Sequence, residues 1–207
     1  ELKQFPPAHY WKSTQDQFST YFKHSYSSKS QTEAEYCAQI NTLLTEAVEK
    51  RMMSERPVGC LLSGGLDSSL VAGILARAYK KQGKELETFS IGLRGSPDLV
   101  AAQKVADHIG SKHHSVEATE EEFLTALEHT VYMLGSYDVT TIRASVGHQL
   151  IAKYVSEHSD VKVLFSGETA DEFGSYLYFQ NAPSQEAFQQ EAVRLLEDIH
   201  FFDMKRG

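Results

Sequence analysis

Val58-Gly59-Cys60-Leu61-Leu62-Ser63-Gly64-Gly65-Leu66-Asp67-Ser68-Ser69 is the stretch that decides the fold. Its opening run, residues 58–62, is apolar apart from one glycine, as expected of a strand buried on both faces of a parallel sheet. Leu70, Val71, Ile74, Leu75 and Ala78 then recur at helical spacing. Between the two lies a turn with paired glycines, which lets the backbone bend tightly and approach a ligand closely. The N–H groups at a helix start are unpaired and carry the positive end of the dipole, which suits an anion. Ser63, Ser68 and Ser69 add neutral donors. Asp67 amid donors aimed at phosphate calls for a bridging cation, and Mg²⁺ takes carboxylate and phosphate oxygens together. Taken alone, the segment also reads as a glycine turn capped by Asp and Ser. It is neither the GxxxxGK[ST] nor the GxGxxG pattern.

Outward from this stretch, strand and helix alternate. Ile40, Leu43, Leu44, Ala47, Val48 and Met52 predict a helix with one buried face, opened by a capping box at Thr32 and Glu35. Residues 88–93 read as a second strand. Ser96-Pro97 opens a helix with proline at its first position, carrying Val105, Ala106 and Ile109 and ending at Gly110. Residues 113–116 alternate weakly as a third strand, and 161–165 form a fourth. Helices are expected over 123–134, 142–155 and 188–199. The pattern predicts an α/β fold, an open and mainly parallel sheet with helices on both faces. Residues 1–32 lack periodicity. Their aromatics, Phe5, Tyr10, Trp11, Phe18, Tyr21, Phe22 and Tyr26, suggest an extended arm that packs on the body, on a partner chain or on a further domain. Residues 25–30 read as a linker.

Composition narrows the function classes. The chain has 207 residues, 41% hydrophobic and 23% charged, with five prolines, which excludes collagen and gross disorder. A chain of this size buries about 70% of its unfolded surface and needs no disulfide or metal to fold. Its formal charge of −8 disfavours general nucleic-acid binding. No apolar run reaches the roughly 20 residues of a membrane span, and no signal peptide is evident. Cys37 and Cys60 lack metal-ligand spacing and read as buried, reduced thiols of a cytoplasmic protein. The chain begins at Glu1 rather than Met, as a processed or excised piece would.

Two further segments carry chemistry. In Tyr137-Asp138-Val139-Thr140-Thr141-Ile142-Arg143 two hydroxyls precede an arginine at a predicted helix start. Arg143 can fork onto phosphate oxygens and the hydroxyls can add bonds. Alone, the segment equally reads as a capped helix with a surface arginine. Ser166-Gly167-Glu168-Thr169-Ala170-Asp171-Glu172 follows the fourth strand and clusters three carboxylates. Ligands of open α/β sheets bind past the carboxyl ends of strands. A solvated acidic loop is the other reading.

Together SGGLDSS, YDVTTIRAS and SGETADE, with VGCLLSGGLDSSLVA, SPDLVAAQKVADHIGS and YLYFQNAPS, resemble the synthetase domain of the asparagine synthetase family, over about residues 33–205. SGGLDSS itself resembles the PP-loop of ATP pyrophosphatases, which implies an adenine nucleotide alpha hydrolase-like fold over residues 33–207, incomplete at its C-terminal end. The resemblance implies ATP and Mg²⁺, with the aspartate side chain attacking the α-phosphorus to give β-aspartyl-AMP and ammonia then displacing AMP. It implies nucleotide binding by Leu62, Ser63, Gly64, Gly65, Asp67, Ser68, Ser69, Ile91, Ser166 and Gly167. It implies metal binding by Asp67 and Asp171, and catalytic roles for Glu168, Arg143, Thr140 and Thr141. Three departures bear on this. The family's N-terminal glutaminase domain, its ammonia source, is not in this chain. Thr169 stands where the family has glycine, and a left-handed backbone there would strain it by about 1–3 kcal/mol; the turn at 173–176 also looks short. The family's pyrophosphate-side lysine has no candidate except Lys205. A nucleotide-binding homologue without chemistry, an interaction module and another adenylating enzyme of the β-lactam synthetase kind stay as alternatives.

Overall fold

The computed structural model describes residues 5–23, 31–171 and 176–199. The expected linker at 25–30, the short turn after Glu172 and Lys205 lie outside them. The chain divides into two compact units, one drawn from Glu1–Glu33 with Glu172–Arg206, the other Ala34–Asp171.

In the first unit, the stretch expected as an arm contains a hairpin. β1 (His9–Lys12) pairs antiparallel with β2 (Gln17–Thr20), in the register His9↔Thr20 and Lys12↔Gln17. The His9 ring lies 2.8 Å from Thr20 Oγ1, and Phe5 meets Phe18 edge-on at 5.0 Å. The polar residues 13–16 make the turn, and they are the local signal for a hairpin.

α1 (Glu33–Arg51) leads into the second unit. β3 (Val58–Leu61) follows, then α2 (Leu66–Lys81), β4 (Glu87–Leu93), α3 (Pro97–Ile109) and β5 (Lys112–Ala118). α4 (Glu120–Leu134), α5 (Val139–His158) and β6 (Val163–Phe165) complete it. The last helix, α6 (Gln185–Asp198), is in the first unit, capped by Ser184. The four strands run parallel in the order β5-β4-β3-β6.

Helices cover both faces of this sheet. On one, Cys60 and Leu62 pack with Ala72 and Leu75 of α2, Ala102 and Ala106 of α3 and Val48 of α1. On the other, Phe89 packs with Ile151 and Val155 of α5. Phe89 and Leu75 are fully buried, so truncating either removes about 2–5 kcal/mol of stability. A Cβ on Gly59 would lie 2.8 Å from the Phe89 ring, so only glycine lets that ring sit over β3. α3 starts and stops as its sequence dictates: Ser96 accepts from the Asp98 N–H, Pro97 opens the helix, and Gly110 ends it at φ 68°.

Two expectations fail on α1. Ile40 and Leu43 are 61% and 56% exposed, and Cys37 is exposed as well. Only the second half of the helix, through Leu44 and Val48, meets the core, with Met52 just after it. The first half borders an open apolar cleft of about 850 Å³ shared with α2 and α3. Cys60 is the buried thiol, and burial pushes its pKa up to about 12. Neither cysteine is in a disulfide. No described helix is long and apolar enough to cross a membrane.

Candidate functional site

The glycine loop is shaped by its own serines. The Ser63 and Ser68 hydroxyls are 2.9 Å apart, and the Ser63 N–H donates to Ser68 Oγ at 3.2 Å. The Gly65 N–H donates to Ser63 Oγ, while the Ser69 hydroxyl donates to the Gly65 carbonyl at 2.6 Å. All three hydroxyls are thus engaged within the loop, where the sequence suggested donors for a phosphate. Gly64 sits at φ 81°, and a Cβ there would fall 2.5 Å from the Ala102 nitrogen of α3. Gly65 precedes α2 in extended conformation and no side chain caps the helix. The head of α2 therefore keeps the free N–H groups and partial positive charge that suit an anion. Asp67 lies in that first turn, exposed.

The acidic loop meets this helix head. A Cβ on Gly167 would lie 2.6 Å from the Ser68 nitrogen and 2.8 Å from the Asp67 carbonyl carbon. Backbone therefore sits on backbone, and Ser166–Gly167 is brought against Asp67–Ser68. The Ser166 hydroxyl accepts from the Glu168 N–H at 3.2 Å. Thr169 has φ 73°, the left-handed conformation that strains a β-branched residue. Asp171 is exposed. Among the described residues, no group of three His, Cys, Asp or Glu side chains forms a metal cage. The donor set still fits Mg²⁺, which binds through one or two carboxylates and takes its other oxygens from phosphate and water. Asp67 and Asp171 would be those carboxylates.

Beside the glycine loop, at the carboxyl end of β3 and along the middle of β4, lies a cavity of about 180 Å³. Leu62, Ser63 and Ile91 line it, as do Phe89, Asp98, Leu99, Gly147 and His148. Apolar walls with a few polar groups suit a flat heterocycle. The larger cleft by α1 is lined by Arg77, Lys80, Lys104 and His108 and touches the glycine-loop segment at Leu66 and Ser69. No described residue of the acidic loop lines either hollow.

Thr140, Thr141 and Arg143 occupy the first turns of α5 and are not part of the cavity wall. The Thr141 N–H and hydroxyl both donate to Asp138 Oδ1, at 2.8 and 2.9 Å, so this threonine serves the helix cap. Arg143 is exposed and makes no ion pair among the described residues. His148, which the sequence does not single out, stands two helical turns beyond Thr141. Its Nε2 is 3.5 Å from Glu168 Oε1. Only the fold brings this pair together, so no local motif announces it.

Comparison with known proteins places the chain in a family. Residues 39–203 match the family model described as asparagine synthase. The human protein named asparagine synthetase (glutamine-hydrolyzing) is 49% identical over 171 residues, covering 81% of this chain and 30% of that protein. The protein of the same name from Gallus gallus is 48% identical over 173 residues, covering 82% and 31%. The chain thus spans about a third of the length of these relatives. An NH3-dependent NAD synthetase from Campylobacter jejuni overlays with a TM-score of 0.45 at 16% identity, over 82% of this chain and 78% of that one. That likeness is too loose to add to the topology already described. The family model spans most of the chain, glycine loop and acidic loop included, and the chain therefore belongs to the asparagine synthase family.

Proposed function

We propose that this chain forms the nucleotide-binding and activating part of an ATP-dependent ligase that converts aspartate to asparagine. The observation that carries the reading is the seating of Gly167 on the head of α2, which sets the acidic loop against the glycine loop; Leu62 and Ser63 extend from the glycine loop into the neighbouring cavity. Adenine enters the cavity of Leu62, Ser63 and Ile91. The phosphates lie at the N-terminus of α2, where Gly64 and Gly65 leave the backbone open. Ser166 and Gly167 close on the nucleotide from the other loop.

In the first step the aspartate side-chain oxygen attacks the α-phosphorus, and the bond to the β-phosphate oxygen breaks. β-Aspartyl-AMP and pyrophosphate result. In the second, ammonia nitrogen attacks the activated carbonyl, the carbon–oxygen bond to AMP breaks, and the nitrogen releases a proton. Asp67 and Asp171 would hold Mg²⁺, which would offset phosphate charge. Thr140 and Arg143 stabilise charge on phosphorus, since fixed donors aimed at developing charge usually contribute more to catalysis than any other effect. Glu168 takes part in forming the intermediate or in accepting the proton from the nitrogen.

Thr169 favours a second reading, nucleotide binding without chemistry, because a strained residue stands inside the acidic loop. Calorimetry with ATP and Mg²⁺ tests what both share: absence of binding removes both. Pyrophosphate release with aspartate and ammonium separates them. Aspartate-dependent release that disappears in Glu168→Gln supports the ligase, and binding without release supports the second reading.

A further inference from the structure

α5 turns one side to the cavity. Ala144, Gly147, His148 and Ile151 line it, at the spacing of a single helical face. His148 is the ionisable member of that set, and its Nε2 lies 3.5 Å from Glu168 Oε1. One imidazole thus borders both the cavity and the acidic loop. Glu168 has no other ion pair among the described residues.

The backbone around Glu168 is held on both sides. Its N–H donates to Ser166 Oγ, Gly167 before it abuts α2, and Thr169 after it is fixed in the left-handed region. The direction of the carboxylate is not fixed by any of this, because the glutamate side chain retains its own rotors. At 47% and 68% exposure the pair adds little to folding, and 3.5 Å is long for a hydrogen bond. Such a contact orients a side chain more than it stabilises a fold. An unheld carboxylate would turn further into solvent, away from His148 and the cavity that residue borders.

We infer that His148 is a positioning residue, whose imidazole holds the Glu168 carboxylate at the edge of the nucleotide cavity. The inference rests on the nucleotide reading of the site, and its test does not require turnover. Diethyl pyrocarbonate acylates neutral imidazole, and mass spectrometry reads the rate at His148, with the exposed His129 of α4 as internal reference. Glu168→Gln speeds labelling of His148 by about two- to fivefold, the factor an exposed ion pair supports, and leaves His129 unchanged. The Glu168 carboxylate itself is the second arm, read by its rate of carbodiimide coupling to an amine. His148→Leu speeds coupling at Glu168, and His148→Gln, which keeps an N–H donor, restores it. Unchanged labelling in Glu168→Gln, or equal coupling in the Leu and Gln variants, overturns the inference. If both effects appear but ATP with Mg²⁺ fails to slow labelling of His148, the pairing stands and the nucleotide reading falls.

Discussion

The glycine loop after β3 and the acidic loop after β6 occupy equivalent places, each past the carboxyl end of a parallel strand, and they are built in opposite ways. Each has one residue in the left-handed region, Gly64 at φ 81° and Thr169 at φ 73°. In the glycine loop that residue is the one type that adopts the conformation freely, and the serine hydroxyls tie the loop to itself. In the acidic loop a β-branched residue is forced into it, the Glu168 and Asp171 carboxylates are exposed, and the ion pair to α5 is a long one. The first loop is a rigid mould for backbone contacts. The second presents charge on a strained support.

The largest effect that would break this contrast is at Gly64. Gly64→Ala combines a left-handed alanine, about 1–2 kcal/mol, with a Cβ driven into the backbone of α3, another 1–3 kcal/mol. A loss of about 3 kcal/mol in urea unfolding is expected, and a loss below 1 kcal/mol would mean that the mould is soft. Next is Asp67→Ala, expected to weaken Mg²⁺-dependent ATP binding about tenfold by calorimetry, with Asp171→Ala nearer threefold. The reverse ranking would move the metal to the acidic loop.

Thr169→Gly should act with the opposite sign to Gly64→Ala. Relief of strain outweighs the entropy that glycine adds to the unfolded chain, for a net gain of about 0.5–1 kcal/mol. No gain would put the two loops on the same footing. The smallest effect concerns pH. Among the described residues neither loop buries an ionisable side chain, whereas the sheet beneath them does. His113 of β5 is half-buried between the Thr88 and Ser90 hydroxyls, and burial lowers its pKa from the ordinary 6.5. Its folded value lies below its unfolded one. Stability is therefore complete above pH 6.5 and falls as pH drops from there toward the folded value. His113→Asn should flatten the urea midpoint between pH 7.5 and 5.5, and an unchanged slope would assign the response elsewhere.

Much of the fold is legible because its punctuation is local. The run before Ser63, the Ser96-Pro97 start and the Gly110 stop act through neighbouring residues alone. The alternation marks β5 only over 113–116 rather than Lys112–Ala118, since a strand carrying Lys112, His113, His114 and Ser115 does not look buried. Its polar groups are satisfied across the strand pair, His113 by Thr88 and Ser90 and His114 by Glu87 at 2.8 Å. Glu87 is raised by burial but held below its ordinary range overall by hydrogen bonds from His114 and Lys112. α4 begins three residues earlier than its apolar period, at a capping box of Thr119 and Glu122 that the sequence does contain. The exposed half of α1 is not legible, because periodicity reveals an apolar face and not what covers it. In the site, Leu62 and Ser63, just past β3, and Ile91, within β4, reach one cavity as expected. His148 does not stand out, since its meaning lies in a partner twenty positions later.

The central claim is that the two loops make one nucleotide site, and Gly167→Ala tests it most directly. The substitution leaves every side chain of the glycine loop unchanged while placing a Cβ 2.6 Å from the Ser68 nitrogen. Calorimetric titration with ATP and Mg²⁺, on protein whose far-UV circular dichroism matches wild type, should show binding weakened about tenfold or more. Binding as tight as wild type in that variant would contradict the account, because the acidic loop would then stand apart from the nucleotide.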